Sequence, residues 1–430
     1  MTSSTLAQWL HRLEGLHPTQ VDLGLERVAA VARALDLLPL PCPVVTVAGT
    51  NGKGSTVAVL EALALAAGRR VGAFTSPHLQ RFNERIRVDG AEAADADIVQ
   101  AFAAIDAARG ETSLTYFEFS ALAALCVFRR HAADLVVLEV GLGGRLDAVN
   151  IVDADVAVIT AIALDHQDWL GSTREQIALE KAGILRPERA AVIADPEPPA
   201  SLRGRVAQLG ASPALYLGED FGVAVGEGRW RGWLQQDGER RDIGPLADGP
   251  LLPANVCGAL QAAALLGCAA DDTALAGVLQ GVRLPGRRQA LQRDGLDYVV
   301  DVAHNPAAVD KLLEYLNATS CAGKTIAVFS AMEDKDLEGM VAAAAGSFHA
   351  WFLGDQPDVA RAARAADIAR LLHAAGEERV SLSRNLRQAL ARARSVAAPG
   401  DRLVVFGSFY TVGALLPRLE RAGAPHEALS

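Results

Sequence analysis

Val44-Val-Thr-Val-Ala-Gly-Thr-Asn-Gly-Lys-Gly-Ser-Thr56 is the stretch on which the fold of this chain turns. Val44 to Val47 is short, β-branched and uncharged, which reads as an interior strand. From Ser55 the period changes: Val57, Leu60, Leu63, Ala64 and Ala67 recur at helical spacing until Gly68 closes the helix. A strand, a tight glycine turn and a helix N-terminus together make an anion cradle. Glycines let backbone N–H groups approach, the helix dipole favours negative charge, Lys53 adds a full positive charge, and a hydroxyl can hold Mg²⁺. The stretch reads as a nucleoside triphosphate site. It is not a standard Walker A loop, because only Thr50 and Asn51 separate Gly49 from Gly52, and Gly54 intervenes between Lys53 and Ser55. The bland alternative, a glycine-rich turn carrying an exposed lysine, leaves the order of strand, turn and helix without a reason.

At 430 residues the chain is long enough for about two or three domains with substantial cores. Half of it is hydrophobic and 21% charged, ordinary for a globular protein. A formal charge of −10 supplies no general field for nucleic acid or an acidic membrane, so anionic ligands must be held by local basic groups. Met1 to Leu10 lacks the basic stretch and apolar core of a signal peptide. The longest apolar run, Val256 to Ala270, is interrupted by Gly258, Gln261 and Gly267 and reads as a buried helix. Cys42, Cys126, Cys257, Cys268 and Cys321 are odd in number and without CxxC spacing, against a disulfide framework or a zinc site. A cytoplasmic protein is expected.

Strand-like and helix-like segments alternate through most of the chain, the signature of a mainly parallel α/β sheet. Strands are expected at Val44–Ala48, Val71–Phe74, Leu135–Val140, Val156–Ala161 and Ala191–Ala194, with helices around Phe117–His131 and Arg174–Leu185. Phe221–Ile243 reads as a small antiparallel excursion, followed by helices near Asn255–Cys268 and Asp271–Val282. Leu284-Pro-Gly-Arg-Arg-Gln289 breaks the pattern. The expected organisation is an ATP-binding domain over 1–284, a linker at 285–289 and a second α/β domain over 290–430. That second domain has strands at Tyr298–Val302, Thr325–Phe329, Ala350–Leu353 and Leu403–Phe406. Arg421–Ser430 reads as a frayed tail.

Asp134-Leu-Val-Val-Leu-Glu-Val140 is an apolar strand with Glu139 near its C-terminal end, the edge at which open parallel sheets bind ligands. A carboxylate there needs a partner such as a metal ion; the alternative is a salt bridge with Arg145. Gly141-Leu-Gly-Gly-Arg-Leu-Asp147 imitates a dinucleotide fingerprint, with Asp165 downstream, yet Leu146 occupies the third glycine's position and no helix follows. Val156 to His166 repeats the strand logic and delivers Asp165 and His166 to a neighbouring edge, where a ligand role outweighs a surface one. Glu180-Lys-Ala-Gly183 closes a helix, and taken alone Lys181 is a solvated helix lysine. Tyr298 to Pro306 leads a strand into Asn305 as N-cap and Pro306 at the first helical position, setting Asp301 and His304 at a strand edge. Ser408 follows another strand, where an ordinary turn role is equally open.

Taken together, these motifs resemble the bacterial bifunctional dihydrofolate synthase/folylpolyglutamate synthases of the Mur-ligase superfamily. The segments that carry the resemblance are Asp22–Arg27, Gly49–Ser55, Ser76–His78, Leu114–Glu118, Glu139–Asp147, Leu164–His166, Glu180–Gly183, Leu284–Arg287, Asp301–Pro306, Asp334–Asp336 and Gly407–Phe409, covering nearly the whole chain. The resemblance implies an N-terminal P-loop ATPase domain with a mainly parallel sheet and a smaller Rossmann-like C-terminal α/β domain, with chemistry in the cleft between them. It implies a monomer that binds no nucleic acid or membrane and acts on dihydropteroate, reduced folates and L-glutamate, using ATP and two Mg²⁺ ions. By the family pattern Gly52, Lys53, Gly54 and Ser55 hold the phosphates; Asn255, Arg287 and Asp301 are further ATP contacts. Ser76, Glu139 and His166 bind magnesium, and so does Lys181, which the family carbamylates into an anionic ligand. Lys53, Lys181 and His304 are the implied catalytic residues. The pterin side falls on Asp22, Leu23, Gly24, Leu25, Thr115, Tyr116, Phe117, Leu146, Asp147 and Ala148, while His304 and Ser408 fall on the glutamate side. Arg288 departs from the pattern, since relatives commonly carry an aromatic residue there. A ligase confined to polyglutamylation and a Mur-type ligase of UDP-muramoyl substrates are the rival readings. The second is disfavoured because the Asp22 and Thr115 segments look pterin-specific and no recognisable UDP-binding domain precedes the nucleotide loop.

Overall fold

The computed structural model describes residues 5–421 except Gln20 and Glu227; nearly all of the expected C-terminal tail, 422–430, lies outside the described residues. The chain forms two compact units that divide between Arg283 and Leu284.

The first unit is built on an eight-stranded sheet: β1 (Val44–Ala48), β2 (Val71–Phe74), β3 (Ile86–Val88), β4 (Ala91–Glu92), β5 (Leu135–Glu139), β6 (Val156–Ile159), β7 (Ala190–Ile193) and β8 (Ala214–Tyr216). Their order is β4-β3-β2-β5-β1-β6-β7-β8. The β2–β3 and β3–β4 pairings at one edge are antiparallel and the other pairings are parallel. Every residue of β1 and β5 is buried, because helices cover both faces and the strands read as continuous apolar runs rather than alternating ones. β1 lies between β5 and β6 with Val47 opposite Glu139 and Ala48 opposite Ile159. That register delivers Gly49, Glu139 and Thr160 together to the C-terminal edge of the sheet. Helix Lys53–Ala66 begins directly behind the glycine turn, and helix Pro253–Leu265 packs along it. The expected antiparallel excursion is a three-stranded sheet of β9 (Gly222–Val225), β10 (Arg229–Gln236) and β11 (Glu239–Ala247). The apolar run from Val256 lies mostly within the buried face of Pro253–Leu265. Among the described residues no helix is long and apolar enough to cross a membrane.

The second unit holds a six-stranded sheet: β12 (Gln289–Arg293), β13 (Leu296–Val300), β14 (Thr325–Phe329), β15 (Ala350–Gly354), β16 (Val380–Ser383) and β17 (Arg402–Phe406), in the order β12-β13-β17-β14-β15-β16. β12 forms an antiparallel hairpin with β13, turning at Asp294 (φ +53°) and Gly295 (φ +74°). Asp-Gly is the dipeptide that such a left-handed two-residue turn favours, a signal the sequence reading did not use. β16 and the β3–β4 hairpin also went unread, being short and poor in apolar residues. One face of this sheet buries Phe329, Phe348, Trp351 and Phe406 as a ring cluster, with Phe329–Phe406 and Phe348–Trp351 centroids 4.8 and 4.9 Å apart.

Candidate active site

The glycine turn is shaped by what crowds it. Gly49 has φ +153°, and a Cβ there would lie 1.8 Å from Thr160 Oγ1; Gly52 has φ +97°, and a Cβ would meet Asn255 Oδ1 at 2.5 Å. Both positions exclude any side chain. Thr160 Oγ1 donates to the Asn51 carbonyl at 2.8 Å, and Thr50 Oγ1 donates to the Ala163 carbonyl at 3.0 Å, so the end of β6 holds the turn in shape. Lys53 curls back, its Nζ 3.0 Å from Gly49 O and 3.2 Å from Thr50 O. Asn255, more than two hundred residues downstream, is brought against the turn by its helix. Gly52, Lys53, Gly54, Ser55 and Asn255 therefore converge.

Glu139 is buried at the end of β5, and its Oε2 accepts the Ser76 backbone N–H at 3.1 Å. A Cβ on Gly54 would lie 3.8 and 3.9 Å from its two carboxylate oxygens, so the carboxylate faces the start of the phosphate-loop helix. Arg145 is not its partner: that guanidinium pairs with Glu180 at 2.9 and 3.1 Å. His166 adopts the left-handed conformation (φ +51°) as N-cap of helix Gln167–Leu170, with its N–H donated to Asp165 Oδ1 at 2.9 Å.

Lys181 corrects the solvated-lysine reading. Its residue is only 3% exposed, and its Nζ donates to Gly49 O at 2.9 Å, the same carbonyl that Lys53 uses. Helical spacing alone could not reveal this, because the groups met by its backbone and its amine, Gly144 and the Gly49 carbonyl, lie far away in sequence. Burial first, and the nearby Lys53 charge second, hold the Lys181 ammonium down to about 7, with Asp165 and Asp147 acting the other way. Near neutrality about half of this side chain is an uncharged amine. Asp147 is pushed up to about 6, also chiefly by burial, against the Leu142 and Val149 N–H groups that donate to it at 2.8 and 3.1 Å.

Among the described residues no three His, Cys, Asp or Glu side chains gather into a metal cluster. Ser76, Glu139, His166 and Lys181 offer one carboxylate, one imidazole, one hydroxyl and an amine. The oxygen donors Glu139 and Ser76 suit a hard cation that takes its remaining ligands from water and nucleotide phosphates, as Mg²⁺ does. The Lys181 amine is no ligand for such an ion unless it is converted into an oxygen donor.

The segments read as pterin-facing are tied to one another. Arg27 donates to Asp22 Oδ2 at 2.6 Å and to Glu118 Oε1 at 3.2 Å, while His17 bridges Asp22 and Ser113 at 3.2 and 2.8 Å. Thr115 and Glu118 form a reciprocal capping box at the head of helix Tyr116–Arg130. Phe117 lies over Gly141, where a Cβ would meet its ring at 2.5 Å. Asp147 caps the short helix Ala148–Ile151. Leu23, Gly24, Leu25, Tyr116 and Leu146 are half-buried, and Ala148 is buried.

In the second unit Asp301 follows β13 and accepts N–H groups from Arg288 at 2.8 Å and Ala303 at 2.7 Å; burial raises its carboxyl while Arg287 opposes the rise. The Arg287 guanidinium lies 4.7 Å from the Phe409 ring centroid, and the His304 ring lies 6.0 Å from the same ring. His304 Nδ1 is 2.9 Å from Val302 O; a carbonyl only accepts, so Nδ1 carries the proton and a neutral ring has Nε2 as acceptor. Ser408 is buried as N-cap of helix Phe409–Glu420, its Oγ taking the Thr411 N–H at 3.0 Å. Arg288 stacks over Tyr315 at 5.4 Å and donates to Lys311 O at 3.1 Å, so that position is packed without an aromatic of its own.

Residues 47–216 match the Mur ligase middle domain, and residues 286–409 the Mur ligase glutamate ligase domain. A curated protein from Escherichia coli (strain K12), described as dihydrofolate synthase/folylpolyglutamate synthase, is 41% identical over 416 residues, covering 96% of this chain and 95% of that one. The chain belongs to the dihydrofolate synthase/folylpolyglutamate synthase family of Mur ligases. Among solved members of this family, E. coli FolC in complex with DHPP and ADP superposes with a TM-score of 0.90 at 39% identity, over 97% of this chain and 98% of that one. A bifunctional folylpolyglutamate synthase/dihydrofolate synthase with Mn, AMPPNP and L-glutamate bound gives a TM-score of 0.87 at 41% identity, over 97% and 99%. The chain is an ATP-dependent carbon–nitrogen ligase of this family, acting as dihydrofolate synthase and folylpolyglutamate synthase.

Several residues that build the site escaped sequence reasoning. Thr160 gives no local signal, and Asn150, Glu180 and Arg27 act through partners distant in sequence. Only Glu118 was legible, as the fourth residue of a Thr-x-x-Glu capping box.

Proposed function

We propose that one site carries both glutamate additions, to 7,8-dihydropteroate and to reduced folates, through an acyl phosphate. A carboxylate oxygen of the pterin substrate attacks the γ-phosphorus of ATP as the bond to ADP breaks. The glutamate amine then attacks the acyl carbon, loses a proton, and phosphate departs. The barrier is charge, since an anion must attack an anion. Lys53 and the N–H groups from Gly52 to Ser55 stabilise the transferring phosphate, with Asn255 beside them; Arg287 and Asp301 are the further residues proposed to contact the nucleotide. Ser76, Glu139, His166 and Lys181 would hold two Mg²⁺ ions, which supply further neutralisation of the phosphates when bound. Asp22–Leu25, Thr115–Phe117 and Leu146–Ala148 form the pterin side, with Asp147 suited to the hydrogen-bonding edge of that ring. His304, with Nε2 as acceptor, can take the proton released by the amine, and Ser408 lies on the glutamate side.

The observation that carries this reading is the buried Lys181 amine against Gly49 O, beside the phosphate turn. A lysine ammonium repels a metal ion. An uncharged amine can instead add to CO₂, forming an N–C bond and releasing one proton, and the carbamate oxygen becomes a metal ligand. We propose that modification for Lys181, a monomeric state and a cytoplasmic location; all five cysteines are unpaired, in keeping with a reducing compartment.

Phosphate release with ATP, Mg²⁺ and glutamate is the test, with dihydropteroate, a reduced folate or a UDP-muramoyl acceptor added in turn and products identified by mass. Turnover with the first two is expected. Turnover with the folate alone reduces the activity to polyglutamylation, and turnover with the UDP acceptor alone overturns the proposal.

A further inference from the structure

Lys181 stands at the last residue of helix Arg174–Lys181, where the chain tightens into the short helix Ala182–Ile184. Where its amine sits depends on the backbone of Glu180 to Gly183, and that backbone is gripped closely. A Cβ on Gly144 would lie 2.8 Å from Glu180 O and 2.9 Å from Lys181 O; one on Gly183 would lie 2.4 Å from Arg145 Cα. Arg145 N donates to Glu180 O at 2.8 Å. The two segments thus interlock through glycines that permit backbone to touch backbone.

One buried side chain fastens both. Asn150 donates from Nδ2 to Arg145 O at 3.0 Å and to Gly183 O at 3.1 Å, spending both amide hydrogens across the junction. Its Oδ1 accepts from Arg186 Nη2 at 3.0 Å, and the same Nη2 reaches Asn150 O at 3.1 Å. Two donors and one acceptor on a short planar group are what this junction requires, and of the twenty side chains only asparagine supplies them at this length.

We propose that Asn150 is a positioning residue for Lys181, fixing the 180–183 backbone so that the lysine nitrogen is held at the Gly49 carbonyl as the carbamate-bearing ligand. The inference rests on the carbamate reading above. Without the amide, the Arg145 N–H to Glu180 O bond and the Arg186 Nη1 bond to Gly183 O at 3.1 Å remain, but the side chain that ties Arg145 O to Gly183 O is lost, and the nitrogen two residues away is held less firmly. Asn150→Ala removes all three hydrogen bonds; Asn150→Asp keeps the shape but turns an acceptor oxygen toward two carbonyls.

The experiment uses ¹³C-bicarbonate with the full chain, reading the carbamate carbon by NMR and the bicarbonate dependence of ligation. Wild type should give a carbamate signal that disappears in Lys181→Ala. In folded Asn150→Ala the signal should fall, and the bicarbonate needed for half-maximal turnover should rise about tenfold, the factor that corresponds to ~1.4 kcal/mol. If Asn150→Ala does not yield folded protein, Asn150→Ser, which keeps one hydroxyl donor, is read in the same way. An unchanged signal and unchanged bicarbonate dependence in a folded variant overturn the positioning role and leave the carbamate intact. No signal in wild type overturns the carbamate itself, and this inference with it. A merely structural Asn150 would lower the melting temperature without moving the bicarbonate dependence.

Discussion

Replacing Lys181 by methionine should make the unliganded protein more stable while abolishing its activity. Folding carries Lys181 from water into a site where its ammonium is held down from the ordinary 10.5 to about 7. Because the folded state binds this proton less tightly than the unfolded chain, the wild type is penalised wherever the amine is charged in both states, below about pH 7. The penalty fades as pH rises from about 7 to 10.5, so wild-type stability should climb across that window. At about 1.36 kcal/mol per pH unit, the full penalty is ~5 kcal/mol. Methionine has nearly the same reach and no charge to bury. It forfeits the hydrogen bond to Gly49 O, worth about 1 kcal/mol, yet that carbonyl is not orphaned because Lys53 still donates to it at 3.0 Å. The net expectation is a gain of ~4 kcal/mol at pH 6.5, shrinking toward zero above pH 9. The assay is urea unfolding of wild type and Lys181→Met at pH 6.5, 7.5 and 8.5 in carbonate-free, metal-free buffer, following the transition of the first unit. A variant that is less stable at pH 6.5, or that keeps the wild-type slope with pH, would falsify the buried-amine account of this site.

Lys53→Ala should leave the melting temperature nearly unchanged and lower ligation by on the order of 10²–10³, the usual cost of removing one preorganised electrostatic group; single-turnover kinetics would report it. Glu139→Gln should raise the Mg²⁺ concentration needed for half-maximal activity by about tenfold or more, as metal titration of the two enzymes can measure, with no rescue by added glutamate. Gly52→Ala should lose nucleotide binding, because a methyl at that position meets the Asn255 amide at 2.5–2.8 Å in a backbone already at φ +97°; calorimetry with an ATP analogue gives the comparison. Asp147→Asn should weaken pterin binding while leaving the ATP dissociation constant alone, and a matched loss of both would argue that Asp147 only caps its helix.

Much of the architecture was readable because it is written locally. β1, the phosphate turn and the helix behind it follow from β-branched residues, glycines and a change of period between Val44 and Gly68, and a parallel α/β class follows from repeating that grammar. Glu139, His166, Asp301 and His304 were legible for a related reason: a polar residue ending an apolar run can only lie at the rim of a parallel sheet. What stayed hidden was whatever depends on two distant segments meeting. The Asp294-Gly295 hairpin was present in the sequence but overlooked beside the stronger break at Leu284–Gln289.

Lys181 marks the boundary between the two kinds of information. Its own helix predicts solvent, and only the resemblance to a family pointed to chemistry there. Its burial, its amine against Gly49 O and its depressed affinity for a proton all come from segments up to about 130 residues away, brought together by the sheet register and by glycines that let backbones touch. The sequence alone determined the central parallel strands and which polar residues reach their ends. Only the tertiary structure decided which of those residues share a water-poor space, because desolvation and Coulomb interaction depend on distance in space and not on spacing along the chain.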